Sequence, residues 1–143
     1  MLADAALLLW GMTGADTHRR IAEDAVAPAL AHALDQPTAF GAALAVASRL
    51  ASPLQQLVVV VPDEGNQEQN PKQGGEFVGL AQANGPELTA VVTRAQSVAF
   101  AEAGFGLFDD RGLRGGQPAA YLCTHFVCAL PVSTLAELAT LLA

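Results

Sequence analysis

Apolar residues in the first third of the chain recur at spacings of three and four, the periodicity of amphipathic helices. The pattern predicts three helices, with breaks at residues 11–14 and before Pro37. Their predicted buried stripes are Ala5, Leu8, Leu9 and Met12; Ala22, Ala25, Val26, Ala29, Leu30 and Ala33; and Phe40, Leu44, Ala47 and Ala51.

Local signals predict where these helices begin and end. Asp16 or Thr17 is a suitable N-cap for the second helix, and Pro37 suits the first position of the third. Pro28 lies inside the second stripe, so we expect a kink or a break near Ala27. About four residues join the second and third helices, which predicts an antiparallel helical hairpin.

The middle of the chain changes to a pattern typical of strands. Residues 57–61 form a continuous apolar run of one leucine and four valines, and the segment 56–61 is predicted to be a strand buried on both faces. A similar run covers residues 88–93, after a polar stretch over 63–75 and a short predicted helix over 76–83. Since a strand–helix–strand crossover returns to the same sheet, the two strands are expected to be parallel neighbours. Another helix is predicted over 95–103.

The last segment predicts a β-hairpin and a terminal helix. Residues 119–123 and 126–128 are short apolar runs on either side of Thr124 and His125. Ser133 suits the N-cap of the terminal helix. The predicted buried stripe of this helix is Leu135, Leu138, Leu141 and Leu142.

Together these elements predict a mixed α/β fold in a single domain over residues 1–143. Residues 1–52 supply the helical part, and residues 53–143 supply a small parallel sheet with the C-terminal hairpin and helix. Apolar residues make up 52 % of the chain. That share is ample to offset the entropy of ordering a core, so a disordered chain is excluded.

The negative net charge of the chain argues against two classes of partner. The chain carries 14 acidic and 7 basic residues, a net charge of −7, and no basic block. Nucleic acids and anionic membranes both select basic surfaces, so neither is expected as a partner. The apolar run over 57–61 is too short to span a bilayer, and the first 12 residues lack a basic start. We therefore expect a cytoplasmic domain with reduced thiols.

Two cysteines, Cys123 and Cys128, form the first candidate site. A two-residue turn would oppose Cys123 with Phe126, whereas a four-residue loop would oppose Cys123 with Cys128; only the second register permits a disulfide. The functional interpretation is a redox pair, or half of a metal site with His125. The alternative, which the sequence favours, is two small buried apolar residues in a hairpin. A zinc site needs four ligands, and no matching spacing supplies them, so neither a metal nor a cofactor is predicted.

The loop after the first strand is the second candidate site. Ligands bind beyond the carboxyl ends of parallel strands, which is where Asp63, Glu64 and Gly65 are expected. The glycine spacing of a nucleotide-binding fingerprint is absent from this loop. A solvated surface loop is therefore the favoured interpretation, with small-ligand binding at residues 63–75 as an alternative.

The segment over residues 116–132 resembles the C-terminus of a known family, the thioredoxin-domain-containing proteins of the spermatogenesis-associated type. Such chains typically close with a Gly-x-Pro-Ala-Tyr-x-Cys-x-x-Phe-x-Cys-x-x-Pro-Val pattern and a short leucine-rich helix. The turn over residues 12–16 and the all-valine strand also fit the order of that family. The residues that match the terminal motif are Tyr121, Cys123, Phe126, Cys128 and Pro131.

The resemblance implies a larger protein. Members of that family resemble a thioredoxin-like domain followed by a six-hairpin α/α barrel similar to sugar epimerases and glycosidases. This chain would match only the last barrel helices and the α/β segment after them, so no catalytic residue is carried over. Together with the lack of paired carboxylates, a phosphate loop and a complete metal set in the sequence, the resemblance favours a non-catalytic C-terminal accessory module. Thiol redox or metal binding at Cys123 and Cys128 is the alternative that the cysteine pair itself suggests.

The first helix adds an expectation about partners. Residues 7–10 are consecutive and apolar, and at about 100° per residue they cover the whole circumference of a helix. One stripe can pack on the other two helices, which leaves an apolar face exposed. We therefore expect a homodimer through this helix, or docking onto the rest of the barrel.

Overall fold

The computed structural model describes residues 2–63 and 71–143, with side chains from residue 74 onward in the second range. Its helices and four-stranded mixed sheet confirm the mixed α/β class. The chain divides into two compact units, Met1–Leu54 and Gln55–Ala143, which we call the helical unit and the α/β unit.

The helical unit contains α1 (Leu2–Thr13), α2 (Asp16–Ala33) and α3 (Gly41–Ala51), which confirms the three predicted helices. Each of them packs on the other two. In the core of this unit, small side chains surround the Trp10 ring. The buried residues of this core are Ala3, Ala6, Leu7, Trp10, Ala22, Val26 and Val46. The Arg19 guanidinium covers the Trp10 ring from outside, with Cζ 5.1 Å from the ring centroid.

The buried face of α1 is not the predicted one. Leu8 and Leu9 are 53 % and 40 % exposed, whereas Leu7 and Trp10 are buried. Apolar residues lie on every side of this helix, so periodicity cannot choose the face. Burying Trp10 removes the largest apolar area from water and thereby decides the face.

Of the kink or break predicted near Ala27, the break is wrong, because α2 runs unbroken from Asp16 through Pro28 to Ala33. Pro28 provides no N–H for the Asp24 carbonyl, but both residues are exposed, so water can hydrate that carbonyl. Neither Asp16 nor Thr17 caps the helix: the N-cap is Ala15, without a side-chain hydrogen bond.

The third helix begins at Gly41, four residues later than predicted. Pro37 instead opens a turn in which the N–H groups of Ala39 and Phe40 donate to the Gln36 carbonyl at 3.1 and 3.3 Å. The inward face of α3 carries the buried Val46 and the partly buried Ala43 and Leu50, one position before the predicted stripe. The predicted stripe through Phe40 and Leu44 is therefore wrong.

The α/β unit is built on a sheet of four strands: β1 (Gln55–Val61), β2 (Leu88–Thr93), β3 (Ala119–Thr124) and β4 (Val127–Cys128). Their order is β2-β1-β3-β4, which places β4 at an edge. β1 and β2 are parallel, whereas β3 is antiparallel to both β1 and β4. The predicted parallel pair and the predicted hairpin are both confirmed.

The central strand β1 is buried on both faces, as predicted. Side chains alternate along a strand, so Leu57 and Val59 share one face while Val58 and Val60 share the other, and all four are fully buried. The first face packs against α4 (Pro71–Asn84) and α6 (Leu135–Leu141). The residues of that core are Leu57, Val59, Phe77, Ala81, Ala120 and Leu138.

Capping boxes begin two helices of this unit. Thr93 caps α5 (Arg94–Glu102) together with Gln96. Thr134, not the predicted Ser133, caps α6, because only Thr134 has a glutamate, Glu137, three residues later to complete the box. A short 3-10 helix at Gly106–Phe108 follows α5. α4 begins earlier than predicted, at Pro71.

Candidate functional site

Cys123 and Cys128 are joined by a disulfide bond across β3 and β4. They are register partners, with 3.8 Å between their Cα atoms, so the register that opposes the two cysteines is the observed one. The expectation of two reduced thiols is therefore wrong. Burial preference favoured free cysteines, but direct opposition across a strand pair brings the sulfurs within bonding distance.

The two cysteines differ in exposure. Cys123 is 1 % exposed, whereas Cys128 is partly exposed on the edge strand. Cys123 pairs with β1 through its register partner Gln56, so it is covered by a strand on each side. A reagent in solution therefore reaches the Cys128 side of the disulfide first.

A tight turn holds the two cysteines in register. Thr124 pairs with Val127, which leaves only His125 and Phe126 to connect the strands. Their φ angles are +48° and +65°, as a type I′ turn requires. Glycine and asparagine are the usual residues at such angles, so this turn depends on support from elsewhere.

Gln56 provides that support, and sequence reasoning missed it. Its side chain is fully buried, and its Oε1 accepts a hydrogen bond from the Phe126 N–H at 3.1 Å. A polar residue beside a run of buried valines was the available signal, because a buried amide requires partners. The residue it supports lies 70 positions further along the chain.

Arg111 is the second residue that the sequence did not single out. Its Nη2 donates to Cys128 Sγ at 2.9 Å, and its Cζ lies 5.2 Å from the centroid of the Tyr121 ring. A guanidinium is permanently positive, so it favours negative charge on the sulfur it contacts.

Three hydrogen bonds position the backbone of Arg111 and Gly112. The fully buried Ser97 hydroxyl donates to the Arg111 carbonyl at 2.9 Å. The Tyr121 hydroxyl donates to the Gly112 carbonyl at 2.7 Å and accepts from the Gly112 N–H at 3.2 Å. The strand that carries Cys123 thus also anchors the loop that carries the arginine.

The motif residues therefore have distinct places. Tyr121, Cys123 and Cys128 converge on one cluster with Arg111, and Phe126 lies in the turn beside it. Pro131 follows β4, and its carbonyl accepts a hydrogen bond of 2.6 Å from Arg114 Nη1. We call the group Arg111, Tyr121, Cys123 and Cys128 the cystine cluster.

His125 lies in the turn, three residues before Cys128. Within residues 2–63 and 71–143, no group of three or more His, Cys, Asp or Glu side chains is placed to hold a metal ion. The metal site with His125, which was the less favoured interpretation of the cysteine pair, stays a hypothesis.

The second candidate site is only partly described. Asp63 lies next to the start of α5, where its Oδ1 accepts the Ala95 N–H at 2.9 Å. That backbone N–H, then the Thr93 hydroxyl, and more weakly Arg94, hold the pKa of Asp63 below its ordinary value. Glu64 and Gly65 lie outside the described residues, so small-ligand binding at this loop stays a prediction.

A surface depression of about 410 Å³ adjoins this aspartate. Its lining combines both charge signs with apolar side chains and comprises Asp63, Arg94, Ala95, Val98, Ala99 and Glu102. The carboxylate of Asp63 already accepts the Ala95 N–H in the first turn of α5, so it supports the start of that helix beside the Thr93 cap.

Comparison with known proteins adds no relative: no family model, no curated protein and no solved structure matches this chain. Among the helices that the structure describes, none combines the length and the apolar character needed to cross a bilayer.

Proposed function

We propose that this chain carries out thiol–disulfide exchange, with Cys123 and Cys128 cycling between dithiol and disulfide. The observation that carries the proposal is the cystine cluster, in which one sulfur is buried and the other contacts a guanidinium at a partly exposed edge. Exchange requires an accessible thiolate and a nearby second thiol, and the cluster supplies one of each.

The environments of the two sulfurs support different roles. Cys128 is accessible and has Arg111 Nη2 at 2.9 Å from its sulfur, so its thiolate is the attacking group. Cys123 is buried, faces Cys128 directly and resolves the mixed disulfide from within the protein. Arg111 touches the reacting sulfur and serves as the residue that stabilises its negative charge.

The size of the loop argues against a mainly structural disulfide. The two cysteines are only five positions apart. Cross-links stabilise a fold by restricting the unfolded chain, and the effect is smallest for short loops. A bond that adds little stability can open and close without unfolding the protein.

We place this activity in the cytoplasm. Disulfides in that compartment are usually transient, and they serve catalysis or redox sensing. A pair of this kind is expected to respond to the glutathione poise, which lies at about −220 to −320 mV.

Equilibration with glutathione buffers tests the proposal. The chain is incubated across that range of potential, its free thiols are trapped by alkylation, and the number of trapped thiols is read by mass spectrometry. We expect both thiols to appear together in one reversible transition inside the range. A pair that stays fully oxidised or fully reduced throughout would contradict the proposal.

Alkylation rates test the assigned roles. In the reduced state, Cys123→Ser leaves the accessible thiol and should react fast, whereas Cys128→Ser leaves the buried thiol and should react slowly. Arg111→Gln should slow the alkylation of Cys128 by about tenfold, because the thiolate loses a charge-assisted hydrogen bond. Arg114→Gln is the matched control, since that arginine donates to the Pro131 carbonyl instead. Equal rates in both arginine variants would refute the role of Arg111.

We propose a second candidate function: a non-catalytic C-terminal module of a thioredoxin-domain-containing α/α-barrel protein. It rests on the resemblance of residues 116–132, and one observation favours it. Leu2, Leu8 and Leu9 of α1 are 66 %, 53 % and 40 % exposed. Exposed apolar residues clustered on one helix are typical of interaction surfaces. The partner is the remainder of the barrel, or a second copy of this chain.

Light scattering over a range of concentrations tests the association through α1. Leu8→Asp should dissociate the assembly or abolish soluble expression, because a carboxylate would then be buried in the interface. Leu34→Asp is the control, since Leu34 is 90 % exposed and lies outside α1. A chain that stays monomeric at high concentration would contradict association with a second copy of this chain.

A further inference from the structure

An open edge of the sheet lies beside the cystine cluster, and exchange with a small thiol does not require this edge. β4 is the last strand of the sheet, so no strand pairs with its outer edge in the part of the chain that the structure describes. The same strand carries Cys128. An open edge presents backbone donors and acceptors to a further strand.

The register fixes which backbone groups point outward. The Ala129 N–H donates to the Leu122 carbonyl at 2.9 Å, so residues 122 and 129 are a hydrogen-bonded pair. Hydrogen-bonded and non-hydrogen-bonded pairs alternate along antiparallel strands. The pair Cys123–Cys128 is therefore of the second kind, and the N–H and C=O of Cys128 point away from β3. They lie on the open edge, next to the sulfur that Arg111 contacts.

The side chains near this edge suit a polypeptide partner. Val127 is 78 % exposed and Leu130 is 85 % exposed, one on each side of Cys128 in sequence. Edges are usually protected by very short edge strands, by charged residues or by proline. β4 is short, but its two residues are valine and cysteine, so it carries neither a charged side chain nor a proline.

We propose that the substrate of the exchange reaction is an extended polypeptide segment that contains a disulfide, and that it binds by adding a strand to β4. The proposal rests on the exchange function proposed above. A strand paired to the outward groups of Cys128 places one of its residues directly opposite, on the same face as the sulfur. In an antiparallel hydrogen-bonded pair the two Cα atoms lie about 5.5 Å apart, and disulfides most often span about 5.5–6 Å. Strand addition is therefore compatible with a mixed disulfide.

The reaction then proceeds in two thiol–disulfide exchange steps. The Cys128 thiolate attacks the substrate cysteine opposite it, the substrate S–S bond breaks, and the other substrate cysteine leaves as a thiolate that takes up a proton. Cys123 then loses its proton to solvent and attacks Cys128 Sγ. The protein disulfide forms, the mixed disulfide breaks, and the attacked substrate cysteine leaves as a second thiolate that takes up a proton from solvent. Two electrons have then passed to the polypeptide.

The test compares three oxidants against the reduced chain. The first is bis(2-hydroxyethyl) disulfide, which is small and uncharged. The second is a synthetic peptide with one disulfide flanked by valine and threonine. The third is the same peptide with an N-methyl group on the amide of the attacked cysteine, which removes the donor needed for pairing and leaves the sulfur chemistry intact. We expect the unmodified peptide to react at least about tenfold faster than the other two, since strand pairing adds backbone hydrogen bonds.

Two protein variants complete the test. Val127→Lys should lower the rate with the unmodified peptide and leave the rate with the small disulfide unchanged, because lysine at an edge disfavours strand addition. Val98→Lys is the matched control: Val98 is 50 % exposed on α5, away from β4. Equal peptide-to-small-disulfide rate ratios for all peptides and variants would overturn the inference. Failure to react with any of the three oxidants would instead overturn the exchange function, and this inference with it.

Discussion

Reduction of the Cys123–Cys128 bond should lower the free energy of unfolding of the α/β unit by about 2 kcal/mol and leave it folded. The cysteines are five positions apart, so the bond closes a loop of about six residues. The chain-entropy relation gives about 2 kcal/mol at 25 °C for such a loop. Domains of this size are stable by about 5–15 kcal/mol, so the reduced form retains most of its stability.

This magnitude bears directly on the exchange function. A redox pair that attacks a substrate must keep its dithiol form folded, because Arg111 and the register of β3 and β4 position the thiols only in the native state. A disulfide that closed a loop of about 100 residues would contribute about 4.7 kcal/mol, and opening it would put a marginal fold at risk. Because the Cys123–Cys128 bond closes only a short loop, its reduction lowers the stability of the fold by a smaller amount.

Urea unfolding followed by circular dichroism measures the effect. The oxidised chain and the chain kept in a phosphine reductant have identical side chains, so their difference isolates the cross-link. The variant Cys123→Ala with Cys128→Ala serves as control and should show no shift with reductant. Hydrogen exchange at the amides of β1 and β3 assigns the change to the α/β unit. Unfolding on reduction, or a loss of about 4 kcal/mol or more, would refute the reasoning and identify a structural disulfide.

Three further predictions concern stability. Gly85→Ala should destabilise the fold by about 1–3 kcal/mol in thermal melts, since its Cβ would lie 2.5 Å from the Ala81 carbonyl oxygen. Gly79→Ala is the control and should be neutral or stabilising, because there is open space around Gly79. Equal effects of the two substitutions on stability would contradict this prediction. Tyr121→Phe should lower the free energy of unfolding in urea by about 1 kcal/mol, because the hydrogen bond to the Gly112 carbonyl is lost. The same substitution should slow the alkylation of Cys128. An unchanged alkylation rate would show that Tyr121 does not help to position Arg111. Thr134→Ala should cost about 1 kcal/mol at neutral pH through loss of the helix cap. The Thr134 hydroxyl, followed by the N–H groups of Ser133 and Thr134, holds the pKa of Glu137 below its ordinary value. This contribution is fully present above the ordinary pKa and is lost as pH falls through the lowered one, so the difference between wild type and Thr134→Ala should shrink in acid.

The strands could be predicted from the sequence because their signal is local. A continuous run of β-branched residues has few alternatives, and β1 and β2 lie where that pattern indicates. Helix faces and ends were predicted less well, because competing signals exist within each helix. α1 is apolar on every side, and α2 tolerates Pro28 since the affected carbonyl is exposed to water. Packing of Trp10, which no local pattern encodes, decided the face of α1.

The candidate site could also be predicted only in part from the sequence. The cysteines and the register that opposes them were among the alternatives that spacing alone could state. The partners of Arg111 and Gln56 could not be predicted, because the first lies 17 positions from the sulfur it contacts and the second lies 70 positions from the turn it supports. Contacts at that separation follow from the sheet order, which places β3 between β1 and β4.

The turn between β3 and β4 connects these observations. His125 and Phe126 both have φ angles in the left-handed region, where a non-glycine residue costs about 1–2 kcal/mol. The local sequence therefore opposes the very turn that aligns the two cysteines, and the alignment must be maintained by contacts from outside the turn. The disulfide is one such contact and is lost on reduction. The hydrogen bond from the Phe126 N–H to the buried Gln56 side chain does not depend on the redox state. It acts from the central strand, the most deeply buried strand of the sheet, and so keeps the reduced thiols opposed and ready to close again.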